Sequence, residues 1–230
     1  MMCEHVSIPS LVITIDGPAG VGKSTVARML ARRLEAVFLD TGATYRAVTV
    51  AAMNAGADLT DPQAVLAVMK NTDFDFSHDG DLLRVKIDGH DETGTIREPH
   101  VTEQVRHIAA APLLREQLVK LQQDFAAQFD RVVTEGRDQG TVVFPNAQYK
   151  FFLTADPTER TRRRHDELKA AGKAVDPKQL HQQIIQRDAS DENRSVGPLK
   201  PATDAIMIDT THINADQVVH QILETIHHGS

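Results

Sequence analysis

The sequence predicts an α/β protein: a parallel sheet flanked by helices and built around a phosphate loop, with an insert containing a small antiparallel sheet and a short lid. Three observations predict it. Residues 16–25, Asp-Gly-Pro-Ala-Gly-Val-Gly-Lys-Ser-Thr, fit G-x-x-x-x-G-K-[ST] through Gly17, Gly22, Lys23 and Ser24, and they lie between an apolar run and a helix-like segment. Short, continuously apolar runs alternate with segments of helical spacing, the pattern of strands buried on both faces and the helices that cover them. Residues 73–87 break that order with apolar–polar alternation, and an antiparallel ribbon inside a β/α chain marks an inserted subdomain.

The chemistry of the loop follows from its residues. Gly17, Pro18, Ala19, Gly20, Val21 and Gly22 let the backbone curl so that successive N–H groups face phosphate oxygens, and the following helix adds the positive end of its dipole. Lys23 is placed to bridge the outer phosphates. The Ser24 hydroxyl, next to Thr25, is placed to hold a magnesium ion that screens charge during transfer.

With 230 residues and 41% hydrophobic content, the chain can bury a sizeable core. Its net charge of −7 argues against a protein whose main task is to bind a nucleic-acid backbone and leaves a small anion such as a nucleotide as the expected partner. The single cysteine, Cys3, cannot form an internal disulfide, so a reducing compartment is expected. No run reaches about 18 apolar residues, and the start lacks a basic and then apolar leader. A cytoplasmic protein with no membrane partner, and a monomer, is the expectation.

Residues 11–15 read as a buried strand, and residues 23–34 as a helix whose Val26, Met29, Leu30 and Leu34 face inward while Arg28, Arg32 and Arg33 form a solvated face. A second strand spans 36–39, after which Asp40 or Thr41 caps a helix to about residue 55. Thr41, Tyr45 and Arg46 gather at its start, either as an anion site or as a capped helix with one exposed arginine. A turn and short helix cover 58–71. Residues 73–76 and 82–87 then form a hairpin around His78-Asp79-Gly80-Asp81. Helices span about 99–110 and 112–129, broken at Pro112.

Strand character returns at 131–134 and runs into Glu135, Arg137 and Asp138, charges that either form salt bridges or stand at a strand end where open α/β sheets place their ligands, the reading that the upstream phosphate loop favours. Another strand covers 149–154, and Asp156-Pro157 starts a helix on which Arg160, Arg163 and Arg164 share one face. That stripe is either a solvated surface or a mobile cover over a donor's phosphates. Within a helix at 182–194, Arg187, Asp191 and Arg194 would line one edge, with mutual surface pairing as the local reading. A strand at 205–209 and a helix at 214–226 close the chain.

Taken together, these stretches make nearly the whole chain resemble the bacterial cytidylate kinases, a branch of the nucleoside monophosphate kinases. The resemblance rests on residues 15–25, on Asp40-Thr41-Gly42-Ala43-Thr44-Tyr45-Arg46, on Glu135-Gly136-Arg137-Asp138 with residues 140–145, and on Arg187-Asp188 through Asp191, Asn193 and Arg194. It implies transfer of the γ-phosphoryl group of ATP to CMP or dCMP, in pyrimidine nucleotide metabolism, with ATP as co-substrate and Mg2+ as cofactor. It also implies a core at 1–58 and 107–230, a CMP-binding insert at 59–106 and a lid at about 157–172.

By that resemblance Arg46, Arg137 and Arg194 hold the acceptor's phosphate, near Thr41 and Tyr45. Arg187 and Asp191 meet the sugar hydroxyls, and Arg115 and Asp138 meet the base. Lys23, Arg137 and Arg194 are the catalytic set. Arg160, Arg163 and Arg164 join residues 17–25 on ATP, Ser24 holds the metal and Glu135 holds a metal-bound water. The residue types suit the task, because guanidinium forks supply both counter-charge and geometry to facing phosphates. A carboxylate at Asp138 accepts from cytosine's N4 and repels uracil's O4.

Two departures stand out. Relatives commonly carry a base-contacting serine nine residues before the arginine matched by Arg115, a position that counts back to Arg106. An arginine facing N4 would oppose cytosine and suit uracil's O4, so either Arg106 points away, the local register differs, or base choice is relaxed. Glu135 replaces an aspartate of some relatives, a mild change because both carboxylates reach a metal-bound water. A kinase of another small acceptor, such as UMP, a sugar or a shikimate-like acid, and a nucleotide-binding switch are the competing readings.

Overall fold

The computed structural model describes residues 10–79, 82–170 and 172–228. In chain order the elements are β1 (Leu11–Asp16), α1 (Lys23–Arg33), β2 (Val37–Asp40), α2 (Thr41–Asn54), α3 (Pro62–Asn71), β3 (Phe74–Asp79), β4 (Leu82–Ile87), β5 (His90–Asp91), α4 (Pro99–Ala110), α5 (Pro112–Ala126), β6 (Arg131–Gly136), β7 (Tyr149–Thr154), α6 (Pro157–Ala170), α7 (Pro177–Glu192), β8 (Ile206–Asp209) and α8 (Ala215–His228). A five-stranded sheet is ordered β2-β6-β1-β7-β8, and a three-stranded sheet β3-β4-β5. β7 runs parallel to β1, with Asp16 opposite Phe152, and β8 runs parallel to β7. This is the α/β architecture with a small antiparallel sheet that the sequence predicts.

By its contacts the chain divides into two compact units, one holding Phe38–Val132 and the other Leu11–Val37 with everything from Val133 onward. The second unit carries the phosphate loop. The middles of β1 and β7 are buried because helices cover them: Ile13, Ile15, Leu153 and Phe151 are buried, as are Leu30 of α1 and Ile222 of α8, whereas Ile206 and Met207 of β8 are exposed. α1 packs on α8, and α6 on α7. Arg32 and Arg33 are exposed as expected, whereas Arg28 is half-buried.

In the other unit α2 is buried around most of its circumference, packing Val48 and Ala52 against Leu114 and Leu118, and Ala47 and Val50 with Leu83, Val85 and Ile87 of β4. Its buried hydroxyls therefore bond the helix's own carbonyls, Thr44 to Thr41 at 2.8 Å and Thr49 to Tyr45 at 2.9 Å. The buried Gln122 donates to Thr44 Oγ1 at 2.9 Å.

Three local features differ from the sequence reading. The predicted hairpin pairs Phe74 with Ile87 and Asp79 with Leu82, its turn residues Gly80 and Asp81 lying outside the described residues, and a third strand, β5, joins it. β5 follows Asp88-Gly89, whose φ of 50° and 78° are what a two-residue hairpin turn of type I′ requires. Beyond β6 the chain makes a π-helical turn at Gln139–Val143 in what reads as loop. α7 ends at Glu192 with Asn193 as its C-cap, so Arg194 follows the helix instead of lining its edge.

Gly17 fixes how closely the loop approaches the sheet. Its φ is +146°, and a Cβ there would sit 2.2 Å from the backbone oxygen of Leu153, in the buried strand β7. Gly17→Ala is therefore expected to lower the free energy of unfolding by roughly 3 kcal/mol or more, measured by urea denaturation without ligand. A loss below about 1 kcal/mol would contradict this seating of the loop.

Candidate active site

The site is built first on the end of β1. Gly20 and Gly22 take positive φ, 81° and 92°, and Gly22 precedes α1 with no side-chain cap. The first-turn N–H groups of α1 thus lack a capping side chain, which is the arrangement an anion completes. Lys23 is buried and folds back so that Nζ donates to Pro18 O at 2.6 Å. Ser24 Oγ donates to Glu135 Oε1 at 2.7 Å, which sets a hydroxyl beside a carboxylate at the end of β6.

Burial dominates the electrostatics here. It pushes the Lys23 ammonium down to about 7, with Arg137 and then Arg187 adding repulsion that Glu135 and Asp16 only partly offset. Asp16 shows the opposite sign for the same reason. Burial lifts its carboxyl to about 6 even though Gly140 N–H and Gln139 N–H both donate to it, with Asp138 pushing it up further and Lys23 pulling it down.

A guanidinium cluster stands at the ends of β6 and α7. Both oxygens of the buried Asp191 carboxylate are engaged: Oδ2 by Arg137 Nε at 2.8 Å and Oδ1 by Arg194. Arg137 also donates to Gly136 O at 3.1 Å. The expected pairing of Asp191 with Arg194 is thus present, but it is buried and recruits Arg137. Arg187, one turn earlier on α7, is exposed.

The three arginines of α6 do not act as one stripe. Arg160 is buried, pairs with Asp188 at 2.6 Å and donates to the phosphate-loop carbonyl of Ala19 at 3.1 Å. Arg163 donates to Glu159 at 2.8 Å and to Thr210 O at 2.5 Å, while the exposed Arg164 pairs with Glu167. Glu159 is held down at about 2, chiefly by its hydrogen bond from Arg162 and then by Arg163.

In the unit of Phe38–Val132, Asp40 is the cap of α2, accepting from Ala43 N at 3.0 Å, and it also pairs with Arg46 at 3.1 Å. The guanidinium lies over Gly42, where a Cβ would come within 2.9 Å of Arg46 Nη1. Cap and arginine are one device, with Thr41 and Tyr45 buried beside it. Arg115 is buried with its guanidinium 5.7 Å from the Tyr45 ring centre, a cation–π distance. Arg106 is exposed, its Nε 3.4 Å from His107 Nε2.

Sequence reasoning gave no role to Asp16, Asp188 or Gly140. A signal existed for Asp16: a carboxylate closes an otherwise apolar strand, the feature that drew attention to Glu135. No such signal marks Asp188, whose partner lies on another helix. Among the described residues no three His, Cys, Asp or Glu side chains gather to hold a metal, and no helix is long and apolar enough to cross a membrane.

The state of Lys23 sets a pH dependence. Phosphate charge brought beside Nζ would favour the ammonium, so a triphosphate analogue seated on this loop is expected to raise the depressed value and draw in a proton wherever the free site is neutral. At pH 8, above the value of about 7, calorimetry in buffers of different ionisation heat is expected to show uptake approaching one proton per site, shrinking toward pH 6. Lys23→Arg removes the uptake, and equal uptake at pH 6 and 8 would contradict the assignment.

Comparison with known proteins accords with this arrangement. The family described as cytidylate kinase matches residues 13–228. A cytidylate kinase of Pelotomaculum thermopropionicum is 46% identical over 218 residues, covering 94% of this chain and 96% of that protein. One of Carboxydothermus hydrogenoformans is 43% identical over 214 residues, covering 93% and 96%. A bifunctional pantoate ligase/cytidylate kinase of a Synechococcus strain is 44% identical over 215 residues, which are 92% of this chain and 40% of that protein. Among solved structures, an uncharacterized protein from Eubacterium ventriosum superposes with a TM-score of 0.51 at 14% identity, covering 94% of this chain and 98% of that one, a likeness of fold alone. With the family matched from β1 to α8 and the phosphate loop formed at the end of β1, the chain belongs to the cytidylate kinase family.

Proposed function

We propose that this chain transfers the γ-phosphoryl group of ATP to CMP or dCMP, giving ADP and CDP or dCDP. The observation that carries the proposal is the pair of guanidiniums, Arg137 and Arg194, fixed on the one buried carboxylate of Asp191 in the unit that also holds the phosphate loop. Fixed guanidinium forks suit an acceptor that is itself a phosphate, whereas a sugar or an acid of the shikimate type needs fewer of them.

Residue roles follow as parts of the proposal. Residues 17–25 cradle the ATP phosphates, and Lys23 binds their outer oxygens once it is protonated. Arg160 acts on the cradle through Ala19, while Arg163 and Arg164 belong to the lid at about 157–172. Arg137 and Arg194, with Arg46, take the acceptor's phosphate, and Thr41 and Tyr45 back Arg46. Residues 59–106 form the CMP-binding insert. Arg187 and Asp191 meet the sugar, for a carboxylate has about four acceptor positions and the two arginines leave some of them open.

Arg115 and Asp138 read the base. The outward course of Arg106 toward His107 supports a base site in which it does not oppose cytosine's N4. The hydroxyl of Ser24 and the carboxylate of Glu135 are hard oxygen groups 2.7 Å apart, which fits Mg2+ held by Ser24 with Glu135 accepting from a water bound to the ion. Bound there, the ion would screen the phosphates' charge during transfer. No general base is required, because phosphoryl transfer through a loose transition state relies on positioning and charge. The protein is proposed to act as a cytoplasmic monomer on small molecules, without nucleic acid or membrane.

Lys23→Ala and Arg194→Ala are each expected to cut CMP-dependent ADP formation by at least about 100-fold in a coupled assay. Near-normal turnover by both variants would refute the proposal. In a panel of CMP, dCMP, UMP and AMP at equal concentration, CMP or dCMP should lead. Preference for UMP would overturn the base assignment, and ATP consumption that ignores every monophosphate would point to a switch instead.

A further inference from the structure

Asp16 is a buried carboxylate to which the transfer chemistry assigns nothing. It is the last residue of β1, immediately before Gly17, and it is 4% exposed. Its Oδ1 accepts from Gln139 N at 2.9 Å and its Oδ2 from Gly140 N at 2.8 Å, across more than 120 residues of chain. Those N–H groups open the π-helical turn Gln139–Val143, directly after Arg137 and Asp138. The seat is tight: a Cβ on Gly140 would lie 2.9 Å from Thr14 Oγ1 of the same strand. Gln139 is held from its other side, since Thr134 Oγ1 donates to its Oε1 at 2.9 Å.

We infer that Asp16 is a positioning residue: by binding two consecutive backbone N–H groups it locks the segment carrying Arg137 and Asp138 onto the strand that leads into the phosphate loop. This rests on the reading that Arg137 and Asp138 face the acceptor. One carboxylate then fixes the distance between donor cradle and acceptor groups, and phosphoryl transfer depends on that distance because the reacting oxygens must lie in line. An ionised carboxyl offers both oxygens as strong acceptors, and a neutral amide of the same shape turns a donor toward one of the two N–H groups. A merely structural buried polar group has no need of charge, and burial of charge is costly.

The test is Asp16→Asn in the full chain. The expected result is a kcat at least 10-fold lower and a KM for CMP raised several-fold, with the KM for ATP within twofold of the parent and the melting temperature unchanged or higher. Amide hydrogen exchange at Gln139 and Gly140 should speed up at least 10-fold while the amides of α1 keep their rates. Parental kcat and KM for CMP, a parallel rise of both KM values with a lower melting temperature, or unchanged exchange at Gln139 and Gly140 would each overturn the inference. Should Asp16→Asn not fold, Gly140→Ala lifts the same segment from Thr14 with the carboxylate intact, and the same split between the KM values is expected. A parent protein that phosphorylates neither CMP nor dCMP would sink the functional reading, while the exchange rates still decide the role of Asp16.

Discussion

Positive charge held out of water and balanced within the protein is the constraint on which this structure depends. Lys23 and Arg160 are both buried, and Arg137 is largely so. An isolated buried cation costs several kcal/mol, so each needs an anionic partner within the protein. Asp188 pairs with Arg160 and Asp191 with Arg137 and Arg194, while Lys23 donates to Pro18 O and feels the attraction of Glu135 and Asp16. Each carboxylate sits at an element's end or on an inward turn of α7, where it meets the cation without crossing the apolar core. At Lys23 burial, with repulsion from Arg137, outweighs these attractions and pushes the ammonium down to about 7.

The carboxylates also orient what they neutralise. A guanidinium held on a buried carboxylate has fewer rotamers left than a free one, so less side-chain entropy would be lost on binding an anion. Asp191 does this for two arginines at once, and Asp40 does it for Arg46 while capping α2. Arg160 carries the idea into the backbone, for its bond to Ala19 O ties the phosphate loop to Asp188 of α7.

Glycine enters where backbone must approach backbone or a side-chain head. Gly17 lies against Leu153 O, Gly42 beneath the Arg46 guanidinium and Gly140 against Thr14. The contacts at Gly17 and Gly140 cannot be moved far, because β1 and β7 are buried between helices, whereas the Arg46 head beside Gly42 is the end of a long side chain and can shift.

Much of this was determined by the sequence alone. The G-x-x-x-x-G-K-[ST] spacing names its own loop, the short runs of 11–15 and 149–154, rich in β-branched residues in the first and aromatic residues in the second, read as strands by length and composition, and proline dictates the break before Pro112. These are local properties, fixed by residues within a few positions of one another. Even β5, absent from the initial reading, was written locally in Asp88-Gly89. The partner of each charge was not local. Ser24 meets Glu135 across 111 residues, Asp16 meets Gly140 across 124 and Arg137 meets Asp191 across 54. Whether a charge at a strand end faces water, a ligand or a carboxylate depends on which strand lies beside it and in what register. Register comes from packing the whole sheet, so only the tertiary structure could decide that Arg160 is buried, that Arg194 follows its helix while still reaching Asp191, and that Asp16 closes on the turn after β6.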